Sequence, residues 1–353
     1  MTILSKRDML ARMGSMQQLA SVRPLTYREG KADGLTAYAV RNGPLAFDVL
    51  ADKGLDIGDF SYRGVGFNFL SKPGLIGRTA YDTHGAEAQR SIMGGMLFTA
   101  GYENICAPCT LDGKDYPMHG RIRTTPAEHR SADAFWDGDD YVMRVSGEIR
   151  EAELFGENLV LRRSIETRLG ERIVRIVDEV ENQAFRPEPL MLLYHFNVGH
   201  PLLSEAARLV LPALDTRPRD ETSRPHLDDW ASVAAPSENE PEYVFLHELA
   251  ADAAGNTFAA LVNPELKLGV RLDFNRKALP YFMQWKSMAA GDYAMGLEPA
   301  NSSVYGRPHH VSAGALHMLP PQAKETFELT ITVLDGDEDI DRVQNEARRL
   351  SRR

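Results

Sequence analysis

Cysteine is nearly absent, with two residues in a chain of 353. So few thiols exclude a disulfide scaffold and fit a reducing compartment. Long apolar runs are missing as well: none approaches the roughly 18 residues that a membrane helix needs. The opening MTILSKRDMLARMGSM has neither the apolar stretch nor the cleavage site of a secretory signal, so a cytoplasmic location is expected. Basic residues are not in excess. Forty Lys and Arg stand against fifty Asp and Glu, a formal charge of −10. That balance argues against nucleic acid or an anionic membrane as partner, because both are bound largely through Lys and Arg contacts to phosphate. A small molecule, taken up by a monomer or homodimer, is the expected partner.

The glycine-rich nucleotide motifs are missing too, as are the G-x-S-x-G nucleophile elbow and the H-E-x-x-H metal pair. Cys106-Ala-Pro-Cys109 has redox-type spacing, but Pro108 and the turn-forming Thr110–Lys114 place it in a loop instead of at a helix N-terminus. A lone CxxC is also only half of a zinc site. No metal and no organic cofactor is expected.

What the chain does have is strict alternation. Met143, Val145, Gly147 and Ile149 alternate with Arg144, Ser146, Glu148 and Arg150, and Phe327, Leu329, Ile331 and Val333 alternate with Thr326, Glu328, Thr330 and Thr332. The same period of two runs through Leu161–Leu169 and Lys267–Phe274. A strand sends successive side chains to opposite faces, so each segment reads as a half-buried antiparallel strand. Further strands are expected at Thr36–Arg41, Leu45–Leu50, Ile173–Glu181, Leu190–Phe196, Phe258–Asn263 and Tyr281–Lys286.

Helical spacing is confined to the ends: Met9, Met13, Met16 and Leu19 within residues 1–20, and Ile340, Val343, Ala347 and Leu350 within 336–353. The polar stretch 216–242 reads as a long loop. Length alone suggests two domains, with one large all-β domain as the alternative. Strands of like type on both sides of the 216–242 loop, and the lack of βαβ alternation, favour one all-β domain spanning 1–353, an antiparallel β-sandwich.

Three segments place polar groups where a sandwich would otherwise place apolar ones. The first is Gly94-Gly95-Met96-Leu97-Phe98-Thr99-Ala100-Gly101-Tyr102-Glu103-Asn104, followed by His119-Gly120-Arg121. The second is Tyr194-His195-Phe196-Asn197-Val198-Gly199-His200-Pro201, where alternation sets His195 and Asn197 on one face. The third is the turn-like Gly296-Leu297-Glu298-Pro299-Ala300-Asn301. Taken singly, His195 also reads as a core histidine and Glu298 as half of an ion pair.

Together with Asp52-Lys53-Gly54-Leu55-Asp56-Ile57, these phrases in this order resemble the galactose mutarotase-like superfamily of aldose 1-epimerases, and more closely a divergent bacterial branch of it. The resemblance runs from about residue 50 to 310 and implies a β-supersandwich with short terminal helices. It also implies a carbohydrate ligand, with His195 as general acid, Glu298 as general base from a late turn, and His119 in contact with the sugar. Two phrases depart from the superfamily's usual form: Tyr194 precedes the strand histidine where Asn is usual, and Lys53 stands where the branch has Arg.

Opening a cyclic hemiacetal requires a base for the anomeric hydroxyl and an acid for the ring oxygen. A carboxylate and an imidazole suit both transfers near neutral pH. On this reading the acid and base lie on opposite sides of the ring. Ring-hydroxyl contacts are expected from Asn104, Arg121, Asn197, Asn301, Asp56 and Lys53. An aromatic floor is expected from Trp285, Tyr281, Phe98 or Tyr305. Basic residues near these motifs (Lys53, Arg78, Arg90, Arg121 and Arg307) suggest an acidic or phosphorylated aldose. The alternatives are a non-catalytic sugar-binding protein or another sugar-ring epimerase or isomerase on the same fold.

Overall fold

Alternation along the chain becomes three large antiparallel sheets, with two two-stranded ones beside them, in the computed structural model, which describes residues 5–77 and 85–352. The N-terminal sheet has five strands and contains Thr36–Arg41 and Leu45–Leu50 with the expected bounds. An eight-stranded sheet carries most of the strongly alternating segments. Asp140–Ala152, Asn158–Arg168, Ile173–Asn182, Lys324–Asp335, Leu268–Asn275 and Asn256–Asn263 lie side by side in it. Their inward residues, among them Val145, Ile149, Leu161, Ile165, Val174, Ile176, Leu329 and Ile331, are almost wholly buried.

The third sheet positions the site. Its six strands run Ala213–Pro218, Glu242–Leu249, Tyr281–Ser287, Ala294–Ala300, Met191–Val198 and Phe98–Tyr102 across the sheet, each antiparallel to its neighbour. In Met191–Val198 one face sends Leu192, Tyr194, Phe196 and Val198 into the main core. The other face begins apolar, with Met191 and Leu193 packed on Phe98, Ala100, Met283 and Ala300. Two residues further on, that face turns polar at His195 and Asn197. This is the large antiparallel β-sandwich expected from the alternation.

Beneath His195, on the core side, lies a buried polar network. Arg163 and Asp178 face each other across adjacent strands and form two hydrogen bonds of 2.9 and 2.7 Å. Arg163 also reaches Asp56 at 2.8 Å, and the Tyr194 hydroxyl donates to Asp178 at 2.8 Å. Every charge here has a hydrogen-bonded opposite charge, the condition under which buried ions are tolerated.

The ends differ in detail from the sequence reading. The expected N-terminal helix is split into Lys6–Arg12 and a 3₁₀ turn at Met16–Gln18, because Gly14 intervenes and the Ser15 side chain caps the second segment. At the other end, Asp337–Ser351 is helical and lays Ile340, Val343, Ala347 and Leu350 on the outer face of the large sheet, against Phe258, Ala260 and Val262. The stretch 216–242 is not wholly loop. Its first residues complete the strand Ala213–Pro218, and Arg224–His226 forms a 3₁₀ turn. The rest is tied down by side chains of the six-stranded sheet. Gln284 Nε2 donates to the Trp230 carbonyl and Lys286 Nζ to that of Asp229, both at 2.7 Å. The CxxC neighbourhood, read as a loop, contains a hairpin of Cys109–Leu111 and Lys114–Tyr116.

Candidate active site

Strand register builds the site row by row. Phe98 pairs with His195; Phe196 faces Leu297 and Asn197 faces Gly296, which sets His195 opposite Glu298; Glu298 in turn faces Met283. The next row is Asn197, Gly296, Trp285 and Val244. Glu298 therefore lies in a strand, not in the turn expected from its Gly-Leu-Glu-Pro context. Pro299 is accommodated in that strand, and the phrase around it is fully buried.

His195 Nε2 and Glu298 Oε1 are 3.1 Å apart, with side chains 12% and 5% exposed. The approach lacks hydrogen-bond alignment, so Glu298 Oε1 and His195 Nδ1 have no hydrogen-bonding partner inside the protein. Buried polar atoms are seldom left so. Burial pushes the Glu298 carboxyl up to about 8, with the nearby Glu242 charge adding to it and Arg219 opposing. Burial pushes His195 down to about 3 against a smaller upward pull from Asn197. Burial thus favours the protonated carboxyl and the neutral imidazole.

Gly296 is the floor between them. A Cβ there would stand 2.8 Å from both Glu298 Oε1 and His195 Cε1, and 3.0 Å from Trp285 Cβ. His119 closes another side, its ring centre 6.0 Å from that of His195 and 5.6 Å from that of Phe98. Its Nδ1 accepts from the Cys106 amide at 3.3 Å, which leaves Nε2 as the protonated nitrogen. The loop that delivers it depends on Gly120, at φ +68°, where any Cβ would collide with the Gly101 carbonyl.

These groups border a cavity of about 490 Å³ that is also lined by Phe69, Trp285, Arg219 and Glu242. Trp285 lies 5.7 Å from His195 and 6.3 Å from Phe69, centre to centre. Its Nε1 donates to Glu242 at 2.9 Å, and the other Glu242 oxygen accepts from Arg219 at 3.1 Å. Arg219 donates also to Asp220. Arg219 and Glu242 were not foreseen from sequence. They lie at the start and end of the stretch read as a loop, and only sheet pairing turns them toward His195.

Of the residues expected to contact a sugar, His119, Asn197 and Trp285 line the cavity with His195 and Glu298; Phe98 does too. Asn197 spends its amide hydrogens on the Gly95 and His195 carbonyls, at 3.1 and 3.0 Å. The others are placed elsewhere. Asp56 is wholly buried among Arg163 and Thr99, with burial lifting its carboxyl to about 6. Lys53 is buried near Arg123, Asp56 and Asp52, and burial lowers its ammonium to about 8. Asn104 holds its own loop through the Ala107 and Pro117 carbonyls, and Asn301 bridges strands through Leu192 and Leu190. Arg121 pairs with Glu103. None of these five lines the cavity, nor do Tyr281 and Tyr305.

Among the described residues, the basic residues expected near the site do not line the cavity. Lys53, Arg90, Arg121 and Arg307 lie outside the cavity lining, and Arg78 lies outside the described residues. Among the described lining residues one cation, Arg219, accompanies three carboxyl groups, Glu242, Asp292 and Glu298. Proximity in sequence to the motifs did not carry over to proximity in space. Cys106 lines the cavity as a free thiol that burial pushes far up, so it is a poor nucleophile.

The fold is a galactose mutarotase-like sandwich, and it holds an ionisable pair in an aromatic-lined cavity. Over residues 32–333 the chain matches the family described as Domain of unknown function (DUF4432), and it belongs to that family. No curated protein sequence matches it significantly. Among solved structures, it resembles a Klebsiella pneumoniae protein provisionally named an aldose 1-epimerase, at TM-score 0.90 and 22% identity, covering 99% of this chain and 91% of that one. A galactose mutarotase-like protein from Clostridium acetobutylicum matches at TM-score 0.59 and 15% identity, over 90% of this chain and 99% of its own. A galactose 1-epimerase from Lactobacillus acidophilus NCFM matches at 0.57 and 14%, over 90% and 99% respectively. At these identities the likeness concerns the fold. Among the described residues no helix is long and apolar enough to cross a membrane.

Proposed function

We propose that this chain is a mutarotase-type isomerase that interconverts the anomers of a sugar, with His195 and Glu298 as the proton-transfer pair. The supporting observation is their adjacency, 3.1 Å apart with unpartnered polar atoms at the floor of the cavity. The anomeric and ring oxygens are bonded to the same carbon. An acid and a base that stand side by side can therefore serve both.

The resemblance gave His195 as acid and Glu298 as base. Burial favours the opposite resting polarity, with the proton on Glu298 and a neutral His195. Ring opening from that state moves the Glu298 proton to the ring oxygen and the anomeric hydroxyl proton to His195. Rotation about the C1–C2 bond of the open chain exposes the other carbonyl face, and closure returns both protons. Each group is thus acid in one half of the cycle and base in the other, and no redox step or cofactor enters. His119 Nε2–H is available to a ring hydroxyl, and Trp285 with Phe98 supplies apolar surface for the faces of C–H groups.

Among the described residues the lining, with Arg219 held by Glu242 and Asp220, supports a neutral aldose over an acidic or phosphorylated one. Exchange-transfer NMR of anomers over neutral, acidic and phosphorylated aldoses tests this. Exchange with a neutral aldose that disappears in Glu298→Gln is the expected result. No enzyme-dependent exchange of any sugar, together with measurable sugar binding, would favour the non-catalytic reading.

A further inference from the structure

Away from the cavity, three buried carboxylates meet with an incomplete set of partners. Glu103 follows the strand Phe98–Tyr102, Glu151 lies near the end of Asp140–Ala152, and Glu157 immediately precedes Asn158–Arg168. One oxygen from each lies within 4.8 Å of the others. Lys114 Nζ donates to Glu103 at 2.7 Å and lies 3.7 Å from Glu157, while Arg121 pairs with Glu103. Glu151 receives neither cation, and both of its oxygens are buried with no hydrogen-bond partner. Burial, then the charges of Glu103 and Glu157, hold its carboxyl well above the ordinary range against weaker opposition from the Tyr102 amide and Arg121.

A wholly buried acid aimed at two other carboxylates asks for a cation or a proton. The spacing suits a cation. Hard divalent ions bind oxygen at about 2.3–2.6 Å, so opposite ligands in one calcium shell stand about 4.6–5.2 Å apart. Glu103, Lys114, Tyr116 and Glu157 also border a cavity of about 230 Å³, room for a hydrated ion to enter. Lys114 has a place to go, because it already donates to Glu153 at 3.1 Å.

We propose that Glu103, Glu151 and Glu157 form a calcium-type divalent cation site that fastens the segment 104–120 to the eight-stranded sheet. Glu103 and Arg121 bracket that segment, which carries Cys106 and His119 into the cavity wall. The site stands apart from the sugar reaction and holds whether or not that reaction is confirmed.

Calcium titration of the chelator-stripped full chain, followed by calorimetry and thermal melting, tests it. Saturable one-to-one binding with a rise in Tm is expected. Glu151→Gln weakens binding about tenfold or more, in line with the cost of disturbing a metal's ligand set. Lys114→Gln tightens it by removing the competing ammonium. Glu157→Gln is the second variant should Glu151→Gln not fold, with the same weakening expected. Wild type that binds neither calcium, magnesium nor manganese saturably, or variants at Glu151 and Glu157 that bind as tightly as wild type, overturns the proposal. A Glu151→Gln variant that melts higher while wild type ignores all three ions means that a proton occupies the site, and overturns it equally.

Discussion

His195 and Glu298 face each other across adjacent antiparallel strands, Nε2 to Oε1 at 3.1 Å, with Gly296 between them and no hydrogen bond joining them. A hydrogen-bonded pair would satisfy itself. This one leaves buried polar atoms without a partner, and its properties yield four expectations.

Removal of the carboxyl proton donor abolishes the reaction without abolishing the fold. Glu298→Gln lowers anomer exchange by about 10²–10⁴-fold, the usual range for a positioned acid–base group. His195→Ala does the same. The measurement is exchange NMR at pH 7 with circular dichroism as the control, and near-wild-type exchange in Glu298→Gln would sink the acid–base assignment.

Protonation of Glu298 makes stability pH-dependent with a definite sign. Its carboxyl titrates at about 8 in the folded chain against an ordinary 4.5. Between those values the folded state keeps a proton that the unfolded chain has released, so this group's contribution to stability falls as pH rises through the window. Glu298→Gln has no such dependence. Its Tm relative to wild type is therefore higher at pH 9 than at pH 4, and an equal difference at both pH values would show that the carboxyl is not perturbed.

Charges on the cavity wall tune the same proton in opposite directions. Glu242 raises the Glu298 pKa and Arg219 lowers it. The alkaline limb of the exchange rate, expected near pH 8, moves to lower pH in Glu242→Gln and to higher pH in Arg219→Gln. Glu242→Leu also removes the acceptor that orients Trp285, and KM rises more than in Glu242→Gln. Limbs that stay in place in both charge variants would separate Arg219 and Glu242 from the reaction.

A single methyl group at position 296 tests the geometry of the floor. In Gly296→Ala the new Cβ meets the His195 ring and Glu298 carboxylate at 2.8 Å, so one of them must shift. Displacement of reacting groups by about 1 Å costs on the order of 10²-fold in rate, while overpacking costs about 1–3 kcal/mol of stability. Rate is thus lost well before fold. A variant that melts like wild type and exchanges like wild type would mean that the pair does not occupy this geometry during turnover.

Much of the sandwich was legible because burial is written locally. The alternation of Phe327, Leu329, Ile331 and Val333 with threonines and glutamate marks one strand with one buried face, and its partners need not be known. The C-terminal helix was legible for the same reason. The N-terminal break was less so, since Met9, Met13, Met16 and Leu19 keep helical spacing across Gly14. The aligned faces of His195 and Asn197 also followed from parity alone.

Spatial neighbours did not. Asp56 and Asn301 bond to structural partners that sheet packing brings up from distant segments, and Asn104, which shares a motif with Phe98, is spent on its own loop. Among the described residues, Lys53, Arg90, Arg121 and Arg307 do not line the cavity, and the cation that does, Arg219, comes from a stretch that read as loop.

By itself the sequence determined the strands, their buried faces, and which residue types were available for proton transfer, because side-chain parity and burial depend only on near neighbours in the chain. Tertiary structure decided that His195 stands opposite Glu298, that Gly296 leaves them room, and that burial pushes the carboxyl up and the imidazole down. Those are consequences of strand register and desolvation, and both are set by segments far apart in the chain.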